Sequence, residues 1–173
     1  IVFDDADLEL AVQGALASKY RNTGQTCVCA NRIMVQEKIH DEFVSRLAQA
    51  VSGMKVGDGL KGETQQGPLI NQDAIDKVER LVADAKKKGA RVVIGGHKHE
   101  LGGTFYEPTI LTGVTSAMDI FSQEIFGPVA AIYTFKTEDE AIRMANDTPY
   151  GLAGYFYSRD LNRMWRVAEG LEY

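Results

Sequence analysis

The segment PVAAIYTF at residues 128–135 carries the strongest strand signal in the chain, and it decides the fold. A continuous apolar run of this length indicates a buried strand. The residues that follow, Thr137–Asn146, predict a helix that Thr137 caps. A strand that leads directly into a helix is the repeating unit of α/β domains with parallel sheets.

Similar pairs of strand and helix patterns precede this segment. Asn31–Gln36 predicts a short buried strand, and apolar side chains at helical spacing predict a helix over His40–Met54. Asn71 caps a long helix, and Arg91–Ile94 predicts a strand before two glycines. The alternation predicts an α/β fold with a largely parallel open sheet and flanking helices.

Two predictions concern the first helix and a proline-containing stretch. Asp4 or Asp5 is expected to cap the first helix, which ends near Asn22. The extended stretch Gly102–Thr112 contains Pro108, and proline removes a backbone donor from a sheet. We therefore expect a hairpin arm there rather than a central strand.

The end of the chain predicts one more strand and one more helix. Leu152–Tyr157 has the pattern of a strand, and a last helix begins at Asp160. No capping glycine or polar tail follows that helix before Tyr173. The chain is therefore expected to be truncated at both ends.

The composition predicts one acidic globular domain. The 173 residues are 45% hydrophobic and carry a net charge of -5, which suits a single sizeable core. No apolar run approaches the ~20 residues that span a bilayer, and no signal-peptide pattern is present, so we expect a cytoplasmic protein without a membrane partner. The run Lys86-Lys87-Lys88 lies at a predicted helix end, so a solvated cap is favoured over a nucleic-acid site.

Both cysteines, Cys27 and Cys29, lie in the segment YRNTGQTCVC at residues 20–29, where a helix leads into a loop. Cysteine attacks electrophiles as the thiolate, and backbone N–H groups at such a boundary can activate it. The alternative is that both are small buried apolar residues. A metal site would need His97 and His99 as well, but this spacing lacks the repeats of zinc sites, so no metal is expected.

Two segments resemble motifs of one enzyme family. YxxxGQTCVCAN at residues 20–31 resembles the cysteine signature of the aldehyde dehydrogenases, in which Gly-Gln-x precedes the thiol. SQEIFGPV at residues 122–129 resembles the family's E-x-F-G-P segment. The similarity extends over essentially all of the chain and includes QGPL at 66–69, YEPT at 106–109 and ANDTPYGLA at 145–153. The chain is identified as a member of that family.

Within the family, residues 3–32 and 153–173 resemble the bacterial succinate-semialdehyde dehydrogenases. The resemblance implies that residues 1–173 form most of the catalytic, thiol-bearing domain. It also implies that the dinucleotide-binding domain, the C-terminal end, the general-base glutamate and an asparagine oxyanion donor lie outside this chain.

The resemblance also implies residue roles in NAD- or NADP-dependent oxidation of a small aldehyde, with succinate semialdehyde giving succinate. Cys27 attacks the carbonyl to form a thiohemiacetal and then a thioester, with its own backbone N–H as an oxyanion donor. Glu124 binds hydroxyls of the nicotinamide ribose, and Phe126 packs beside the nicotinamide. Arg21 binds the far carboxylate of the substrate. NAD and NADP are not distinguished.

Several alternatives stay open from the sequence. Arg21 could be a solvated helix end, and Glu124 an ordinary surface glutamate. Cys29 is either a core thiol or the partner of Cys27 in a reversible disulfide, which requires a bent loop. The full protein is expected to be a homo-oligomer. Alternatively, the chain is inactive by itself and acts as a structural, self-associating module, or it is a thiol redox or zinc module.

Overall fold

A computed structural model of the chain describes residues 1–173, which form one sheet flanked by helices. Residues 21–24 and 37–39 form short 3-10 turns. The strands are β1 Arg32–Gln36, β2 Arg91–Ile94, β3 Thr109–Thr112 and β4 Val129–Phe135. The helices are α1 Leu8–Lys19, α2 His40–Ser52, α3 Gln72–Lys87, α4 Asp119–Ser122, α5 Glu138–Asn146 and α6 Leu161–Gly170.

The four strands lie in the order β1-β4-β3-β2. β4 pairs in parallel with both β1 and β3, whereas β2 pairs antiparallel with β3. This arrangement confirms the predicted α/β fold with a largely parallel sheet and flanking helices. None of the helices is long and apolar enough to cross a membrane.

The two faces of β4 belong to two separate apolar clusters. Val129, Ala131 and Tyr133 pack in the cluster that contains the buried face of α3. Ala130 and Ile132 pack in the cluster that contains α1 and α2. Successive side chains of a strand point to opposite faces, so helices on both sides bury the continuous apolar run of β4.

The position of β3 corrects one prediction. The stretch is an arm of a hairpin with β2, as expected, but it is also central, because β3 lies between β2 and β4. All four residues of β3 are buried. Pro108 directly precedes β3, so its missing N–H removes no hydrogen bond from the paired region.

The first helix begins later than predicted. Asp7 caps α1 by accepting hydrogen bonds from the N–H groups of Glu9 and Leu10. The predicted caps Asp4 and Asp5 instead face α6, where both contact the guanidinium of Arg163. These carboxylates are therefore committed to tertiary ion pairs. Asp7 supplies the cap through one carboxylate oxygen, while its other oxygen pairs with Arg159 at 2.8 Å. The predicted caps Asn71 and Thr137 are confirmed, and Asp160, where the last helix was predicted to begin, caps α6.

Three predicted boundaries near the chain's motifs also change. α1 ends at Lys19 rather than near Asn22, because Asn22 has a left-handed backbone in the following turn. Leu152–Tyr157 is not a strand; of these residues only Tyr157 forms a bridge, to Val2. α6 ends at Gly170, before the last residues of the chain.

Candidate active site

Cys27 lies at the tip of a tight turn. The N–H of Cys29 donates to the carbonyl of Thr26 at 2.9 Å, which places Cys27 and Val28 at the two central positions. The Cys27 side chain is an exposed free thiol. Its backbone N–H donates to no group within the chain, so this donor is available to a bound molecule.

The loop before this turn is fastened to the QGPL segment. The hydroxyl of Thr23 accepts from the N–H of Gly67 at 3.0 Å and contacts the Gly67 carbonyl at 3.2 Å. The amide of Gln25 donates to the carbonyl of Pro68 at 3.3 Å and accepts from the N–H of Ile70 at 2.9 Å. The residues that precede Cys27 therefore hold the turn in place through specific backbone contacts.

The two motif segments touch at a pair of glycines. A Cβ atom at Gly24 would lie 2.1 Å from the carbonyl oxygen of Gly127, and Gly24 also has a left-handed φ of 75°. Phe126 before Gly127 is left-handed as well, with a φ of 52°. Only glycine allows both this φ and this approach at low cost, so GQTC and IFGP need Gly24 to pack together.

Asn31 joins the same two segments by hydrogen bonds. Its side-chain N–H donates to the carbonyl of Gln123 at 3.1 Å, and its side-chain oxygen accepts from the N–H of Ile125 at 2.8 Å. These partners flank Glu124 on both sides. Asn31 thus holds the backbone at Glu124 beside the cysteine turn.

A cavity of about 270 Å³ lies where these segments meet. Cys27, Cys29 and Glu124 are among its lining residues, and most of the remaining lining is apolar. Glu124 is exposed and makes no hydrogen bond or ion pair within the chain. Its carboxylate is therefore free to accept hydrogen bonds from a ligand. The apolar part of the lining includes Ala15, Ile33, Met34, Phe121, Leu152 and Tyr157.

Arg21 and Phe126 do not line this cavity. Arg21 begins the 3-10 turn after α1; its side chain is exposed and pairs with no acceptor in the chain. Phe126 is 37% exposed. Both side chains are thus available at the surface near the motif loops, but the chain alone does not bring them to the cavity wall.

Cys29 is partly buried and free, like Cys27. Its thiol donates a long hydrogen bond of 3.8 Å to the carbonyl of Arg21. The two cysteines share one bent turn, which is the loop geometry that a disulfide between them would require. The disulfide itself stays a hypothesis.

Lys19, at the end of α1, is only 1% exposed, a burial that was not predicted from the sequence. Burial lowers the pKa of its ammonium group to about 8, while the nearby Cys29 and Glu124 act in the opposite direction. Lys19 continues the buried face that contains Ala11, Val12 and Ala15, and this spacing could have revealed its burial. A buried cation therefore lies near Cys29 and Glu124.

Tyr155 is a second residue that the sequence did not reveal. Its hydroxyl donates to the carbonyl of Val28 at 3.0 Å, across a large separation in sequence. Val28 lies between the two cysteines, so Tyr155, which also lines the cavity, supports the turn through this bond. No local pattern around Tyr155 predicts this contact, because its partner is a backbone carbonyl of a distant loop.

The geometry is that of a thiol site: an exposed cysteine with a free backbone donor and an unpaired carboxylate line the same mostly apolar cavity. The family model of the aldehyde dehydrogenase family matches residues 1–173. The chain belongs to the aldehyde dehydrogenase family.

Individual relatives are similar over the full length of the chain. It is 57% identical to the NADP-dependent succinate-semialdehyde dehydrogenase of Escherichia coli, covering 100% of this chain and 36% of that protein. It is also 57% identical to the glutarate-semialdehyde dehydrogenase of Pseudomonas aeruginosa, with the same coverage. The crystal structure of succinate-semialdehyde dehydrogenase from Burkholderia pseudomallei superposes with a TM-score of 0.99 at 56% identity, covering 100% of this chain and 36% of that one. The chain thus spans about a third of the length of these relatives.

Proposed function

We propose that the protein containing this chain is an NAD- or NADP-dependent aldehyde dehydrogenase that oxidises succinate semialdehyde to succinate. The observation that carries the proposal is that Cys27 and Glu124, far apart in sequence, line the same cavity. A nucleophile and a cofactor-binding carboxylate must border the same space if one aldehyde is to react with both a thiol and a nicotinamide.

Cys27 is the proposed nucleophile. Its thiolate adds to the aldehyde carbon, and the carbonyl electron pair moves to oxygen, where the free N–H of Cys27 donates a hydrogen bond. Loss of hydride from the same carbon restores the carbonyl as a thioester. Water then cleaves the carbon–sulfur bond, which releases the acid and the thiol.

Glu124 and Phe126 are the proposed cofactor contacts. An unpaired carboxylate at the cavity fits a ribose, because it can accept hydrogen bonds from two neighbouring hydroxyls. The exposed ring of Phe126 offers an apolar surface to a nicotinamide. The nicotinamide supplies the hydride acceptor when it is bound. The choice between NAD and NADP is left open, since the E. coli relative alone of those described is named for NADP.

Arg21 is the proposed determinant of substrate class. Its guanidinium has no acceptor within the chain, so it can pair with a carboxylate at the far end of an aldehyde. The relatives named for succinate and glutarate semialdehyde support this chemistry, because both substrates carry an aldehyde at one end and a carboxylate at the other. The two substrates differ by one methylene, a difference that the contacts of Arg21 do not resolve.

The test uses the full-length protein and follows nicotinamide reduction with succinate semialdehyde and with butanal. Arg21→Ala should lower kcat/KM for the carboxylated aldehyde about a hundredfold, because a charge-assisted pair is lost, and should leave butanal unaffected. Arg143→Ala removes another exposed, unpaired arginine and serves as the control. Equal turnover of both aldehydes by wild type and Arg21→Ala would refute the substrate assignment while keeping the dehydrogenase.

We also propose that residues 1–173 form most of the catalytic domain of a cytoplasmic homo-oligomer. The general base, the second oxyanion donor and the dinucleotide-binding domain are then supplied by the rest of the protein. The isolated chain should accordingly be inactive.

Large apolar side chains such as Trp165, which is 64% exposed, support the alternative that the isolated chain is a self-associating module. Sedimentation velocity of the wild-type chain and of Trp165→Ser tests this alternative. An oligomer that becomes a monomer in Trp165→Ser supports a specific association, and a wild-type monomer contradicts it.

Reversible oxidation is proposed for Cys27 and Cys29, because their thiols share one turn. A disulfide between them would remove the nucleophile until a reductant restores it. Peroxide inactivation that is slower or no longer reversible by reductant in Cys29→Ser supports this hypothesis. Inactivation with unchanged rate and reversibility contradicts it.

A further inference from the structure

We propose that Asn31 is a positioning residue that sets the location of Glu124 relative to the thiol of Cys27, and thereby the affinity for the nicotinamide cofactor. The inference deepens the proposed function and rests on the cofactor role given there to Glu124. It starts from the two hydrogen bonds that Asn31 makes across Glu124.

The orientation of the Asn31 amide is determined by its partners. The backbone N–H of Ile125 can only donate, and the carbonyl of Gln123 can only accept. The Asn31 oxygen must therefore face Ile125, at 2.8 Å, and its nitrogen must face Gln123, at 3.1 Å. Asparagine carries one donor group and one acceptor on the same planar amide, so one side chain satisfies both backbone groups at once.

The two bonds restrain both peptide groups that flank the α-carbon of Glu124. The backbone has two soft dihedral angles per residue, and these bonds hold the atoms on each side of both angles. Ile125 adds a buried anchor, being 0% exposed. The remaining freedom of Glu124 is the rotation of its own side chain, so the region that its carboxylate reaches is set by Asn31.

Asn31 is itself tied to the thiol and to the sheet. It directly precedes β1, whose first residue Arg32 pairs with Ala131 of the central strand β4. On its other side, Asn31 follows the turn of Cys27 and Cys29 after one residue. Asn31, at the start of a strand, thus connects the turn of Cys27 to the segment of Glu124. It also lines the cavity to which both residues contribute.

The experiment measures equilibrium binding of NADH and NADPH to the full-length protein by nicotinamide fluorescence, with no aldehyde present. Asn31→Ala should raise the dissociation constant about tenfold, and Glu124→Gln should raise it at least as much. The double variant should bind no more weakly than Glu124→Gln alone, because Asn31 acts through Glu124. Hydrogen exchange at the Ile125 amide of the cofactor-free protein should become faster in Asn31→Ala.

Asn146→Ala is the matched control. Asn146 also bonds the backbone on both sides of one residue, in this case Leu171. It donates to the Gly170 carbonyl at 2.8 Å and accepts from the Glu172 N–H at 3.1 Å. Its loss should lower the thermal stability of the protein by a similar amount to Asn31→Ala and leave the cofactor dissociation constant within twofold. A merely structural role of Asn31 would make the two variants alike in cofactor binding.

The outcomes separate the two levels of the proposal. If Glu124→Gln weakens binding and Asn31→Ala does not, the cofactor role of Glu124 stands and the positioning role of Asn31 is refuted. If Glu124→Gln leaves binding unchanged, the cofactor role of Glu124 fails and takes the inference with it. Additive effects in the double variant would also refute the inference, since Asn31 would then act independently of Glu124.

Discussion

Replacing Lys19 by methionine should stabilise the chain at neutral pH. Lys19 is 1% exposed and makes no hydrogen bond or ion pair, so the loss of hydration outweighs the attraction of its ammonium group to the nearby Cys29 and Glu124. Methionine has a similar length and no charge, and it fills irregular apolar space well. The substitution therefore removes the desolvation cost and keeps most of the packing.

The magnitude follows from the pKa of Lys19. Burial lowers this pKa from 10.5 to about 8, and each unit corresponds to about 1.4 kcal/mol, so burial of the charged form costs about 3 kcal/mol below pH 8. Between about pH 8 and 10.5 the unfolded chain binds more protons than the folded chain. The free energy of unfolding therefore rises with pH in this window, by about 2 kcal/mol up to pH 9.5.

The assay is urea unfolding of the 173-residue chain with a reductant present, followed by circular dichroism at pH 7 and pH 9.5. Lys19→Met should raise the free energy of unfolding at pH 7 by about 1 to 3 kcal/mol and should lose the share of the pH-dependent gain that Lys19 contributes. Burial also lowers the pKa of the N-terminal ammonium of Ile1, from 8.0 to about 5, so the gain from that group, which ends near pH 8, remains in both proteins. Lys87→Met, at an exposed lysine of α3, is the control and should change neither quantity. If Lys19→Met destabilises the chain at pH 7, or keeps the full pH dependence, burial of the Lys19 ammonium group does not destabilise the folded chain.

Two further predictions address the loops of the site. Gly24→Ala should destabilise the chain by more than ~3 kcal/mol, because its Cβ would lie 2.1 Å from the Gly127 carbonyl at a left-handed φ. Gly59→Ala, where the new Cβ meets open space, should be nearly neutral in the same urea titration. Tyr155→Phe removes the hydroxyl bond to Val28, so amide exchange at Cys29 should become about fivefold faster, the equivalent of ~1 kcal/mol, with global stability unchanged. Unaltered exchange at Cys29 would show that Tyr155 does not support the turn.

Much of the fold was predictable because its signals are local. The apolar run at 128–135 and the caps at Asn71 and Thr137 each act within a few residues, and the structure confirms them. The errors arose where a distant group outweighed a local preference. Asp5 was a reasonable cap by sequence, but Arg163 of α6 binds it instead.

The candidate site divides in the same way. Cys27 and Glu124 were predicted from the motif resemblance, and both line one cavity. Arg21 and Phe126 were predicted from the same resemblance, but neither lines the cavity. Lys19 was missed because a lysine at a helix end usually lies in water, and its burial comes from helix packing.

Local patterning in the sequence was enough to specify the α/β class and many element boundaries, because helical and strand periodicity and capping act between near neighbours. The resemblance to the aldehyde dehydrogenases, and not periodicity, pointed to the segments of Cys27 and Glu124. The tertiary structure decided that these loops meet, through the contact of Gly24 with Gly127 and the bridge from Asn31 to both sides of Glu124. Such contacts join residues about a hundred positions apart. Their formation depends on the parallel pairing of β1 with β4, because the segments that precede two parallel strands lie at the same end of the sheet.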